Sequence, residues 1–201
     1  FLWWYQNELL NPSLTPSLPD AWVWGAERRP VEVTAPDAHT VVFGFGEPRP
    51  LFPYTLARAA PLRPGHYLRF YHGDLTDDRE ALEGEVALAK VANWMALYAL
   101  RADPLWNPRL PQLGAWVTRN TAASELFVME RNPYCFQVDP ADNQLPYNEQ
   151  VVHRQVQMRI TDPSEVLKLW IMGGDVDYQA RHLTREDWDL LAASQETGNY
   201  D

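Results

Sequence analysis

The side chains best suited to chemistry in this 201-residue chain are acids, and they occur in small groups. Asp139, Asp142 and Asn143 lie within residues 130–147, ERNPYCFQVDPADNQLPY, and invite a calcium reading. An EF-type loop alternates its oxygen ligands at every second position, carries a central Gly and closes on a bidentate Glu. None of that spacing is present here. Asp and Asn in such a segment also close Asx turns by accepting from backbone amides two residues on, which makes the stretch a rigid connector. Its prolines stiffen the backbone, and its aromatics are expected to pack it against the neighbouring structure.

Asp175 with Asp177, and Asp187 with Asp189, are pairs that glycoside hydrolysis could use, because that reaction needs two carboxylates across the scissile bond. Strand alternation or helical surface charge accounts for each pair without chemistry. Among the histidines His39, His66, His72, His153 and His182, only His66 and His72 share a neighbourhood. Their spacing is not the three or four of a helical metal pair, so surface or capping roles are expected. Cys135 is the single cysteine, which excludes an internal disulfide and allows a Cys-based zinc site only with several histidines brought in from afar. Nucleophile elbows, Walker loops, dinucleotide glycine fingerprints and His-Glu-x-x-His helices are absent. The residues therefore assign no catalytic group, no metal and no cofactor.

A formal charge of -10 leaves no basic field for phosphate backbones, so nucleic acid is not an expected partner. An apolar content of 46% is enough for a substantial core. No apolar run approaches the roughly 20 residues of a spanning helix. The chain opens on FLWWYQNELL, which reads as the middle of an amphipathic helix and gives the expectation of a partial chain. Nine Trp and 17 Pro are many for this length, and aromatics at that density line ligand surfaces as well as cores.

The elements that must position these groups follow from periodicity. Residues 1–10 predict a helix ended by the prolines of NPSLTPSLPD, and 11–28 predict an extended surface loop. PVEVTAPDAHTVVFGFGEP predicts a hairpin, and helical pieces punctuated by Pro follow, with Pro64 in a first turn. The longest predicted helix covers 78–100. RADPLWNPRLPQL breaks all periodicity and marks a boundary. Beyond it, GAWVTRNT, ELFVMER and EQVVHRQVQMRI predict three strands. TDPSEVLKLWIMGG predicts a helix with Asp162 as N-cap, Pro163 first, Glu165 completing a capping box and Gly173 as the stop. A short strand, DVDYQ, and a last helix capped by Thr184 with Asp187 complete an α/β or α+β pattern.

Taken together these runs resemble the extracellular solute-binding proteins of family 5, the peptide-binding subunits of ABC importers. ERNPYCFQVDPADNQLPYNEQVV is similar to that family's strand ending in Arg-Asn-Pro-Tyr, followed by Asp-Pro, Asn and Leu-Pro-Tyr. LKLWIMGGDVDYQARHL looks like its helix, Gly-Asp step and short strand at the ligand-facing crossover. LTPSLP, DAHTVVFGF and RPGHYLRFYH are similar to its first half. Cys135 departs from the family's bulky aromatic, and LGAWV stands where many members have a Gly-Pro-aromatic run.

The resemblance implies an α/β fold that is part of a periplasmic-binding-protein type II-like two-lobed architecture. Residues 1–112 would be a portion of an inserted subdomain and 113–201 a portion of the first ligand-binding lobe. It implies capture of a peptide, or sometimes an oligosaccharide or metal chelate, in an interlobe cleft and delivery to the transmembrane subunits of an ABC permease. No catalysis and no cofactor are implied, the full-length form would be a monomer, and the location would be periplasmic or extracellular, tethered as a lipoprotein or soluble. Gln179, Ala180, Arg181 and His182 would face the cleft, with Arg181 either pairing a ligand carboxylate or serving as a solvated or interlobe charge. Trp116 and Trp4 are further cleft candidates. A carbohydrate-active enzyme or accessory glycan-binding domain, using the Trp density and acid pairs, and an interaction scaffold stay open beside it.

Overall fold

The computed structural model describes residues 1–58, 62–154, 163–179 and 181–200. The first helix starts as α1 (Leu2–Trp4) and widens into a π-helical stretch over Tyr5–Leu9. Its apolar spacing turns Trp4, Tyr5 and Leu9 inward, where they join Trp22 in an aromatic cluster. The Trp4 and Trp22 rings meet edge to face with centroids 5.1 Å apart, the arrangement their quadrupoles favour.

The segment 11–28 is therefore not the surface loop its prolines predict. It contains a 3-10 turn, Asp20–Trp22, and β1 (Val23–Trp24) paired with β2 (Arg29–Pro30), and it buries Trp22 and Val23. Proline ends a helix without keeping an adjacent indole in water, and burying a Trp ring outweighs the irregular backbone around it. The predicted hairpin forms from β3 (Glu32–Thr34) and β4 (Val42–Gly44), with Val33 opposite Phe43.

After α2 (Phe52–Arg58) and α3 (Gly65–Leu68), for which Pro64 is the N-cap and not a first-turn residue, the long predicted helix is two. These are α4 (Arg79–Ala89) and α5 (Trp94–Ala102). Lys90 takes the left-handed conformation at φ 55°, and the amides of Lys90 and Val91 close on the carbonyls of Ala87 and Val86. That is the Schellman stop, normally the place of a glycine, which is why the sequence did not announce it. Asn93 then caps α5 by accepting from the Ala96 amide at 3.0 Å.

A second core gathers Leu68, Tyr98, Ala102 and Leu110. His72 lies inside it, 1% exposed, rather than at the surface. The Asp74 amide donates to its Nδ1, so Nε2 donates to the Asn7 carbonyl at 2.9 Å, and its ring stacks obliquely on Trp94.

The predicted strands form one antiparallel sheet, β5 (Trp116–Thr118), β6 (Leu126–Arg131) and β7 (Gln150–Arg154), in that order; the rest of the third predicted strand, 155–160, lies outside the described residues. The connector between β6 and β7 is organised by the Asp139 carboxylate. It accepts from the amides of Ala141 and Asn143, from Asn143 Nδ2 at 2.9 Å and from the Tyr147 hydroxyl at 2.5 Å. These bonds, that of Asn143 first, hold its pKa well below the usual carboxylate range. The Asx reading of this loop is the one its geometry follows. Its aromatics do not pack as expected: Cys135, whose amide closes a turn on the Asn132 carbonyl, is buried while Tyr134 and Phe136 stand exposed on either side.

The chain then forms α6 (Pro163–Met172) and, after a 3-10 turn at Arg185–Asp187, α7 (Trp188–Gly198). Asp162, the predicted cap of α6, lies outside the described residues. The strand predicted at 175–179 is not formed; that stretch is irregular. Among the described residues no helix is long and apolar enough to cross a membrane.

Candidate functional site

Helices α6 and α7 lie side by side and run in the same direction. Lys168, midway along α6, meets Asp187 at the start of α7 at 3.2 Å, and Gly174 approaches Gly198 at their ends. Residues 173–187 consequently run back along the pair, and this return segment builds the site.

Its entry is a Schellman turn. Gly174, at φ 76°, donates to the Ile171 carbonyl at 3.0 Å, and Asp175 donates to that of Trp170 at 2.9 Å. The left-handed residue is thus Gly174, one position past the predicted stop. A Cβ there would sit 2.9 Å from the Gly198 carbonyl oxygen, so the close approach of the two helix ends also requires glycine.

Its exit is the predicted cap. The amide and hydroxyl of Thr184 both donate to Asp187 Oδ2, at 2.8 and 2.9 Å, in a capping box that starts α7. These bonds, with the Thr184 amide foremost and Lys168 after them, hold the Asp187 pKa below the ordinary range. Lys168 also donates to Glu165, and the two carboxylates raise its pKa, Glu165 first. Glu165 thus pairs with Lys168 one turn on, while its predicted capping partner, Asp162, lies outside the described residues. Asp187 is engaged structurally, which removes one carboxylate from the pair that a glycosidase reading would use with Asp189.

Between the return segment and α7 lies a concavity of about 490 Å³. Asp177, Tyr178 and Gln179 line it from the segment, and Trp188, Leu191 and Gln195 from the helix. Tyr200 also faces it, its hydroxyl donating to the Leu191 carbonyl at 2.7 Å. Tyr178 is 84% exposed and Trp188 71% exposed. Two large aromatic rings are thus exposed on one concave surface of the described chain, which makes it the candidate site.

Of the residues singled out from the sequence, Gln179 lines this concavity, and its amide donates to the Arg181 carbonyl. Arg181 and His182 are exposed beside it without lining it, and His182 is left-handed at φ 64°. Ala180 lies outside the described residues. Trp116 is in β5, and Trp4 is packed inside the first aromatic cluster, so neither lines this surface. The six do not converge on one site. Tyr178, Trp188 and Gln195 were not picked out by sequence reasoning, although the Thr184–Asp187 cap sets the helical face on which Trp188 and Gln195 fall. Among the described residues no group of three or more His, Cys, Asp or Glu could hold a metal.

The same architecture exists in a solved structure. The whole chain superposes on the oligopeptide-binding protein OppA with a TM-score of 0.86 at 30% identity, covering 31% of that chain. The chain is thus similar to a portion of a solute-binding protein. The chain is also 50% identical over 38 residues, 19% of its length and 6% of the relative's, to the periplasmic alpha-galactoside-binding protein of Rhizobium meliloti (strain 1021). No family model matches it. It thus spans about a third of the length of the solved relative and a smaller part of the curated one. Both are named as binding proteins and not as enzymes.

Proposed function

We propose that this chain belongs to the solute-binding component of an ABC importer, which captures a small solute between two lobes and hands it to the transmembrane subunits of a permease. The superposition of all described elements on an oligopeptide-binding protein carries this reading. The name of the curated relative, a periplasmic alpha-galactoside-binding protein, supports a periplasmic or extracellular location and leaves the solute as a peptide or an oligosaccharide. In this reading residues 1–112 are part of the inserted subdomain and 113–201 part of the first ligand-binding lobe. The return segment with Gln179, Arg181 and His182, and the concavity beside it, is this chain's share of the ligand surface. Ligand binds the closed arrangement better than the open one, which is what shifts the population toward closure.

The test uses the intact protein that contains these residues. Small-angle scattering should show a smaller radius of gyration when the transported solute is added, and the solute should be recovered unaltered. Deletion of the protein from its host should abolish uptake of that solute. Release of reducing sugar from a glycan, lost on Asp177→Asn, would refute the transport reading and favour an enzyme.

A further inference from the structure

Resting on the transport reading, we infer that residues 104–114 form a rigid strut and not a hinge, so that closure around a solute carries the second core and the β5–β6–β7 sheet as one body and bends elsewhere in the protein. The stretch breaks all periodicity and joins two structural units, which is where hinges ordinarily sit. Its contacts are those of a fixed element, because buried polar side chains grip it from both sides.

On the helical side, Asn107 is 3% exposed, and its Nδ2 donates to the Arg101 carbonyl at 2.7 Å and to the Tyr67 hydroxyl at 3.0 Å. Leu110, three residues on, is packed in the core with Leu68, Tyr98 and Ala102. On the sheet side, Thr118 is 4% exposed and its hydroxyl donates to the Pro104 carbonyl at 2.9 Å, while the Ala122 amide donates to that of Leu105 at 2.8 Å. Asn132, just past β6, is 2% exposed. Its Nδ2 donates to the carbonyls of Gln112 at 3.0 Å and Gly114 at 2.8 Å, and its amide to that of Ala115 at 2.9 Å. Pro104, Pro108 and Pro111 fix φ within the same stretch. Bending it would draw Leu110 out of its core and strand a buried hydroxyl and buried amides, each bearing its full desolvation cost. Every one of these contacts joins two described residues, so none depends on what the remainder of the protein covers.

Hydrogen exchange resolved to single amides, on the unmodified intact protein, tests the strut. The Ala122 and Asn132 amides should exchange as slowly as those paired between β6 and β7. Exchange about tenfold faster at both, with the β6–β7 amides still protected, would show local opening and overturn the inference. Thr118→Val should speed the Ala122 amide, and Asn132→Ala the amide at 132, by about tenfold, the weight of one or two hydrogen bonds, with the β6–β7 ladder unchanged. Equal acceleration of the ladder would make these bonds ordinary stability contacts and also overturn it. A second measurement places nitroxides at Leu88→Cys in α4 and Glu125→Cys before β6, both exposed positions, with the native Cys135 buried. Their distance should be single and unchanged on adding melibiose or a tryptic digest of casein. Contraction in scattering with that distance fixed supports the strut; contraction with the distance shifted overturns it and leaves solute capture standing. If the host takes up no solute through this protein, the transport reading fails, and the exchange pattern still decides the strut.

Discussion

Replacing Gly174 by Ala tests whether the return segment is held by the geometry described above. Two costs fall on that one methyl group. The residue sits at φ 76°, where a Cβ costs roughly 1–2 kcal/mol. The same Cβ would stand 2.9 Å from the Gly198 carbonyl oxygen, a backbone atom at the end of α7 that cannot rotate away. Relieving that contact by shifting a helix adds about 1–3 kcal/mol, the usual cost of overpacking. The sum is about 2–5 kcal/mol, read as a lowered Tm. The change moves the end of α6 against the end of α7, so it should also widen the Tyr178–Trp188 concavity and weaken any ligand there. Gly84→Ala is the matched control. Gly84 lies within α4 with open space around its Cα, and Ala there should stabilise by about 0.5–1 kcal/mol. Thermal unfolding followed by circular dichroism separates the two. A Gly174→Ala protein that melts with or above the wild type, while Gly84→Ala behaves as stated, would show that the Schellman turn and the Gly174–Gly198 approach are not what holds the segment.

Other perturbations follow from the same structure. Lys90→Gly should stabilise by about 1 kcal/mol in chemical unfolding, because it removes a Cβ from the left-handed stop of α4. Asn93→Ala should destabilise by about 1 kcal/mol through loss of the α5 cap, and Asn93→Asp should restore most of it. Leu68→Ala, at a fully buried position of the second core, should cost about 2–5 kcal/mol by the same measurement. The Asp187 carboxyl has a folded pKa below its ordinary value of 3.8, so its contribution is complete above that value and lost as pH falls through the depressed one. The Lys168 pKa is raised above 10.5, so its contribution is present below that value and lost as pH rises through the raised one. Asp187→Asn should therefore flatten the acid limb of the Tm–pH profile, and an unchanged acid limb would contradict the pairing.

Local signals were read well wherever the chemistry is local. The Thr184–Asp187 cap, the hairpin at Val33–Phe43 and the three-stranded sheet each depend on residues a few positions apart or on period-2 alternation, and each formed where the sequence placed it. The break in the long helix was missed because a lysine occupies the left-handed position, and only the carbonyls of Val86 and Ala87 reveal the stop. The strand expected at 175–179 did not form for a different reason: alternation is present, but no described strand lies beside that segment to pair with it.

By itself the sequence determined the element types, the absence of a basic surface and the order of motifs that resemble family 5. Composition and spacing are properties of the chain and survive without a fold. Tertiary structure alone decided which aromatics are core and which are surface. Trp4 and Trp22 face each other across the first cluster, His72 is enclosed by Trp94 and Tyr98, and Tyr178 and Trp188, ten positions apart, line one concavity. The reason is that α6 and α7 must run in the same direction, which forces the chain between them to turn back. That return, closed by Gly174 at one end and Thr184 at the other, sets two aromatic rings along one surface that spacing along the chain does not disclose.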